Sequence, residues 1–322
     1  QTLHGISPRH AGAAAVSRTP RCKGSRASPP APLWLGSSGW QEEQRGTWPS
    51  SILDLVPDDM REDPVVEEIL RLEADASELE HSGWYSDAAE SLLEATELRR
   101  SFLGEGHAEA GFAVERYVVL CNRWGARCAG LGQRLQAWAL LKSAESMTEP
   151  GATPLSASRR AALRAATFAE MCGYFRACDK VHAALQYAKK AVALEQRIGD
   201  PHVPTPTAVN YAALLIAAGR HDDALTRLHA IVAALEREEQ RHTSMLVVAS
   251  YNVWVAQCHL GRGRAGAEVL RSAAGVARRR LGESHALTLK VEAALAASSA
   301  RDVAPLSVLS SPTGSARQSR RS

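Results

Sequence analysis

Residues Asn210–Leu225 read Asn-Tyr-Ala-Ala-Leu-Leu-Ile-Ala-Ala-Gly-Arg-His-Asp-Asp-Ala-Leu. An apolar run ends at Gly219, and a polar start follows. Beyond it, Ala224, Leu225, Leu228, Ile231, Val232 and Leu235 fall at offsets 0, 1, 4, 7, 8 and 11. That is the period of an amphipathic helix, not the alternation of a strand. Asp222 and Asp223 sit where acids favour the positive end of the helix dipole. Gly219 suits the positive φ at which a helix often ends. The stretch therefore predicts helix, glycine turn, helix.

The same unit recurs outward in both directions. Val181, Ala184, Leu185, Ala188, Ala191 and Val192 share one helical face, and the residues after Pro64 do likewise. Turn glycines are expected at Gly83, Gly125, Gly173, Gly219 and Gly261, at intervals of 42, 48, 46 and 42 residues. A small residue at the start of the next helix follows five positions later at Ala88, Ala224 and Gly266, a rule that the second and third units break. Their longer intervals predict insertions there. A second marker ends the odd units: Leu103-Gly104-Glu105-Gly106-His107, Ile198-Gly199-Asp200-Pro201-His202 and Leu281-Gly282-Glu283-Ser284-His285.

On these residues a resemblance becomes specific. Gly83-Trp84-Tyr85-Ser86-Asp87-Ala88, with Ala95 seven residues on, resembles a tetratricopeptide repeat (TPR). The long period and the Leu-Gly-x-x-His ends resemble the kinesin-light-chain subtype. The resemblance covers about residues 64–300, with five helix pairs and a partial sixth. It implies an all-α, right-handed α-solenoid of stacked antiparallel helix pairs with a concave groove. It also implies that an Asn on the first helix of a pair holds a peptide backbone. Asn210 and Asn252 match that position, nine residues before their turn glycines. An amide suits the task because it both donates and accepts, as a peptide bond does. The corresponding residues elsewhere are Ala74, Arg116 and Arg164, and the two arginines would suit an acidic peptide. Tyr251 and His259 are expected to add contacts.

Composition agrees with a helical body. Aromatics are only 5% of the chain, and strands prefer aromatic and β-branched residues. No apolar run reaches the length of a membrane span. Residues 1–41 carry basic but no acidic side chains, and the C-terminal tail is again basic. The body between is mildly acidic, which does not suit a nucleic-acid binder.

Three regions are expected: a basic Pro/Ser/Arg-rich disordered segment over 1–60, the array over 61–300 and a disordered Ser/Arg-rich tail over 301–322. Trp34, Trp40 and Trp48 stand out in the first region, where they either dock onto the body or bind a partner. The acid-free start is also similar to an organellar transit peptide.

Catalytic patterns fail on context. Gly261-Arg262-Gly263-Arg264-Ala265-Gly266 has the spacing of a dinucleotide loop, but a helix precedes it where a strand is required. The six cysteines follow no metal-site spacing, and no H-E-x-x-H occurs. His107, His202 and His285 recur because the repeat recurs.

The expected function is a non-catalytic protein–protein scaffold that binds a partner segment in its groove, without a cofactor. Kinesin cargo or microtubule and cilium assembly are its compatible settings, in the cytoplasm. The alternative is a mitochondrial or plastid helical-repeat protein that binds RNA or assists assembly.

Overall fold

The computed structural model describes residues 29–35, 51–104, 106–200, 203–237 and 242–303. The described elements are helical. After α1 (Ile52–Leu55) and a short 3-10 turn come α2 (Pro64–Ser82), α3 (Tyr85–Leu103), α4 (Ala108–Gly130) and α5 (Arg134–Met147). Then follow α6 (Ala157–Ala177), α7 (Val181–Ile198), α8 (Pro206–Ala217), α9 (His221–Arg237), α10 (Thr243–His259), α11 (Gly263–Leu281) and α12 (Ala286–Val303). They pack as pairs α2–α3, α4–α5, α6–α7, α8–α9 and α10–α11, with α12 against the last pair. First helices of successive pairs also touch, α4 on α6 and α8 on α10. The chain is an all-α array of stacked helix pairs.

One turn joins the two helices of every pair. A backbone N–H two or three residues past each helix end reaches back to the carbonyl five residues earlier. The bonds are Trp84 to Leu79, Gln133 to Cys128, Lys180 to Phe175, Arg220 to Leu215 and Arg262 to Gln257, all at 2.8–2.9 Å. This is the Schellman closure, and it needs a left-handed residue at its centre. Gly83, Gly132, Gly219 and Gly261 supply it, and Asp179 does so at φ 56°.

This moves two expected turns. Gly125 lies inside α4 and Gly173 inside α6. The true turn residues are Gly132 and Asp179. Gly125 serves packing instead, since a Cβ there would come within 2.9 Å of Leu141 Cγ. With the turns re-registered, the small residue five positions later is present in all five pairs: Ala88, Ala137, Ala184, Ala224 and Gly266. Four are alanines with no exposed surface, and Gly266 is buried too. Gly266 lies so close to Trp254 that an added Cβ would be 3.2 Å from its Cα. Small side chains here let the paired helices approach.

The Leu-Gly-x-x-His marker also has a physical role. Gly104 and Gly282 close α3 and α11 at positive φ. His107 Nδ1 then accepts from the Glu109 N–H at 3.2 Å, and His285 Nδ1 from the Leu287 N–H at 3.1 Å. Each histidine caps the next helix, supplying an acceptor to an otherwise unpaired N–H. His202 lies outside the described residues.

The buried residues form two large cores. One runs from Ala76 to Leu163 and centres on Trp124 and Tyr117. The other runs from Cys172 to Val291 and includes Leu33 from far upstream. Residues 29–35 and 51–60, assigned by sequence to the N-terminal segment, thus include placed structure.

Candidate functional site

Two helices build the site. Thr205 caps α8 by accepting from the Ala208 N–H, and Pro206 opens its first turn. Asn210 follows one turn later. Helix α10 is buried from Met245 to Ala256, as an almost uninterrupted apolar run requires. Asn252 sits within that run with no exposed surface. A buried primary amide needs partners for both of its polar atoms.

The partner is the chain itself. Asn252 Oδ1 accepts from the Leu33 N–H at 2.7 Å, and Asn252 Nδ2 donates to the Leu33 carbonyl at 2.9 Å. Asn210 does the same two residues on: its Oδ1 accepts from the Leu35 N–H at 2.9 Å, and its Nδ2 donates to the Leu35 carbonyl at 3.0 Å. In extended chain the N–H and C=O of one residue point to the same side, and residues i and i+2 share that side. The two amides therefore read alternate residues of an extended segment as a neighbouring strand would.

Side chains complete the contact. Leu33 is buried at 7% exposure, and Trp34 and Leu35 pack against the same core. The Arg176 guanidinium of α6 lies 4.8 Å from the centre of the Trp34 ring, a cation–π contact. The segment therefore touches first helices of three successive pairs, α10, α8 and α6. Trp40 and Trp48 lie outside the described residues.

The other expected site residues go elsewhere. Re-registering the turns places Arg123 and Glu170, not Arg116 and Arg164, nine residues before them. Arg116 bonds to Glu73 Oε1 at 3.4 Å, and Glu73 also takes Arg99 at 2.9 Å and 3.1 Å. That cluster ties α2, α3 and α4 together. Burial pushes the Arg116 pKa down, against the attraction of Glu73. Arg164 donates to the Glu145 carbonyl at 3.3 Å and lies over Phe168. Arg123 pairs with Glu80, which also accepts from Trp124 Nε1. Glu170 is buried.

Tyr251 is buried edge-on against Trp254, and burial raises its pKa. His259 stacks on His221 of α9, ring centres 4.4 Å apart, so it joins two successive helix pairs. The sequence reading missed Arg176, Arg123 and Glu170. Ala137 and Ala184, five residues past the true turns, carried the register that finds the last two.

Two buried thiols and one buried carboxylate have shifted pKa values. Burial pushes the Cys121 and Cys172 thiols up to about 12. A cleft of about 200 Å³ between α7, α8 and α9 contains Glu195, whose oxygens each accept at 2.7 Å from Thr205 and Thr207. Its pKa is raised by burial, and the two hydroxyls oppose the shift. Among the described residues no cluster of three metal-binding side chains occurs, and no helix is long and apolar enough to cross a membrane. The glycines of the 261–266 motif form the last Schellman turn, open α11 and pack on Trp254.

No family model matches the sequence, and no curated protein matches it. Among solved structures, the chain is similar to a Podosopora anserina protein described as "kinesin light chain nearly identical TPR-like repeats". Identity is 17% over 68% of this chain and 98% of that one, with a TM-score of 0.46. It is also similar to BtubC (BKLC) from P. vanneervenii, at 14% identity over 81% of this chain and 100% of that one, with a TM-score of 0.40. At this level of likeness the class rests on the five Schellman turns and their small residues. They define a TPR-like helical-repeat protein.

Proposed function

We propose that this protein is a non-catalytic adaptor whose first-helix face binds an extended segment of a partner protein. One observation carries the reading: Asn210 and Asn252 each satisfy both backbone groups of one residue in an extended segment. Such recognition is indifferent to the side chain at the clamped residue and strict about backbone geometry. Pockets on either side then select sequence. TPR-like arrays generally mediate protein–protein contacts, which supports the reading. The kinesin-light-chain-like motifs favour a role in motor cargo or in microtubule and cilium assembly, carried out in the cytoplasm.

The test is affinity capture from native extract with the full chain beside its Asn210→Ala/Asn252→Ala form, with cross-links mapped onto α8 and α10. Discrete partners that cross-link to this face and vanish in the double variant are the expected result. Partners retained equally by both forms would overturn the site. Loss of RNA rather than protein from the captured material would favour the alternative RNA-binding reading.

A further inference from the structure

We propose that Pro29–Leu35 is an internal ligand that closes the groove, and that partners enter by displacing it with a segment of the same chemistry. This rests on the peptide-groove reading above. The displacing segment is an extended stretch with two large aliphatic residues flanking an aromatic one, as in Leu33-Trp34-Leu35.

Four observations converge. The contact is bidentate at two residues in register, so the segment takes up the same Asn donors and acceptors that an incoming backbone needs. Trp34 makes a cation–π contact with Arg176 of α6, which extends the contact to a third first helix. Leu33 is buried in the larger core, to which α8 and α10 contribute. Pro29, Pro30 and Pro32 restrict the segment to extended backbone before it docks, which lowers the entropy lost on binding.

The tether makes the competition effective. Residues 36–50 join Leu35 to Ser51, a span of at most about 55 Å. A short covalent link gives an effective concentration on the order of 1 mM at a site it can reach. A free partner segment must compete against that local concentration, whereas a partner held nearby by a second contact escapes the handicap. Occupancy of the groove is thereby set by how the partner is presented as well as by its sequence.

The test uses the full chain and a labelled peptide of residues 29–36 added in trans, read by fluorescence polarisation. The comparison form carries Leu33→Asp, Trp34→Ala and Leu35→Asp. These changes lie in the segment and leave the helix pairs untouched, which circular dichroism checks. The released form is expected to bind the peptide at least about 10-fold more tightly than the unaltered chain. Adding Asn210→Ala/Asn252→Ala to the released form is expected to abolish binding.

Equal binding by the unaltered and released forms, still lost with the asparagines, would overturn internal closure and leave the groove standing. Binding that ignores the asparagines would overturn the groove itself. A dimer of the unaltered chain that becomes monomeric in the released form would overturn closure within one chain, and would assign the segment to a second copy.

Discussion

Asn252 and Leu33, 219 positions apart in the chain, form a closed pair of hydrogen bonds in which one side-chain amide matches one backbone residue. Asn210 repeats the arrangement on Leu35 across the adjacent first helix. The two amides are not equivalent, because Asn252 is fully buried and Asn210 only partly so. The buried pair has less competition from water and holds its residue harder.

Amide exchange separates the two clamps. Asn252→Ala should speed exchange of the Leu33 N–H by about 10-fold or more, on the net worth of a buried hydrogen bond. Asn210→Ala should do the same at Leu35, to a smaller extent. Resolved exchange rates by NMR check this. Equal protection in all forms would show that the apolar contacts alone hold the segment.

Gly266 is expected to tolerate no side chain. A Cβ there would stand 3.0 Å from Trp254 Cδ1 and 3.2 Å from its Cα, which is backbone and does not swing aside. Gly266→Val should therefore destabilise the last pair by about 1–3 kcal/mol through overpacking. The midpoint of urea unfolding measures it, and an unchanged midpoint would refute the close-approach account.

Glu73 joins three helices by accepting from Arg99 and Arg116, and the Arg99 side chain is only 1% exposed. Glu73→Ala takes one carboxylate away from the buried Arg99 guanidinium and from Arg116. The expected cost is about 1–3 kcal/mol, the loss of charge-assisted hydrogen bonds at a buried group. A double-mutant cycle with Arg99→Met should recover a large part of that loss. No recovery would place the cost in packing.

The stacked imidazoles predict a pH dependence. Burial first, and then His259, hold the His221 pKa below its ordinary 6.5, while Asp222 pulls it upward. The unfolded chain therefore takes up this proton before the folded one does. The His221 contribution is present above 6.5 and is lost as pH falls from there through the lower folded value. His221→Gln should flatten the fall in urea midpoint between about pH 7 and about pH 5. Parallel curves for the two forms would show that His221 does not set the slope.

The helix pairs were readable because their signals are local. Amphipathic period, a breaker and a small residue at fixed spacing all act within one turn of chain. Register failed where glycine had two uses. Gly125 and Gly173 sit inside helices, while the second turn uses Gly132 and the third uses Asp179 at positive φ. A non-glycine in the left-handed region gives no cue in composition.

Asn210 and Asn252 stood out in the sequence because they lie in two of the three units, the fourth and fifth, in which the repeat pattern is strong. In the segment they hold, Trp34 stood out as a residue that either docks onto the body or binds a partner, but its receptor was not legible. Leu33-Trp34-Leu35 has no period of its own, and its structure comes from contacts some 175 and 219 positions away. Arg116 and Arg164 were misplaced by the same register error.

The Leu33 contact also orders events in time. A ribosome releases the segment 175 to 219 residues ahead of the asparagines that receive it. At about 5–20 residues per second, that delay is roughly 10–40 s. Earlier helix pairs assemble on their neighbours during the delay, but the segment has no receptor until α10 has emerged. Through that window the nascent chain displays a Leu-Trp-Leu peptide whose receptor has not yet been made.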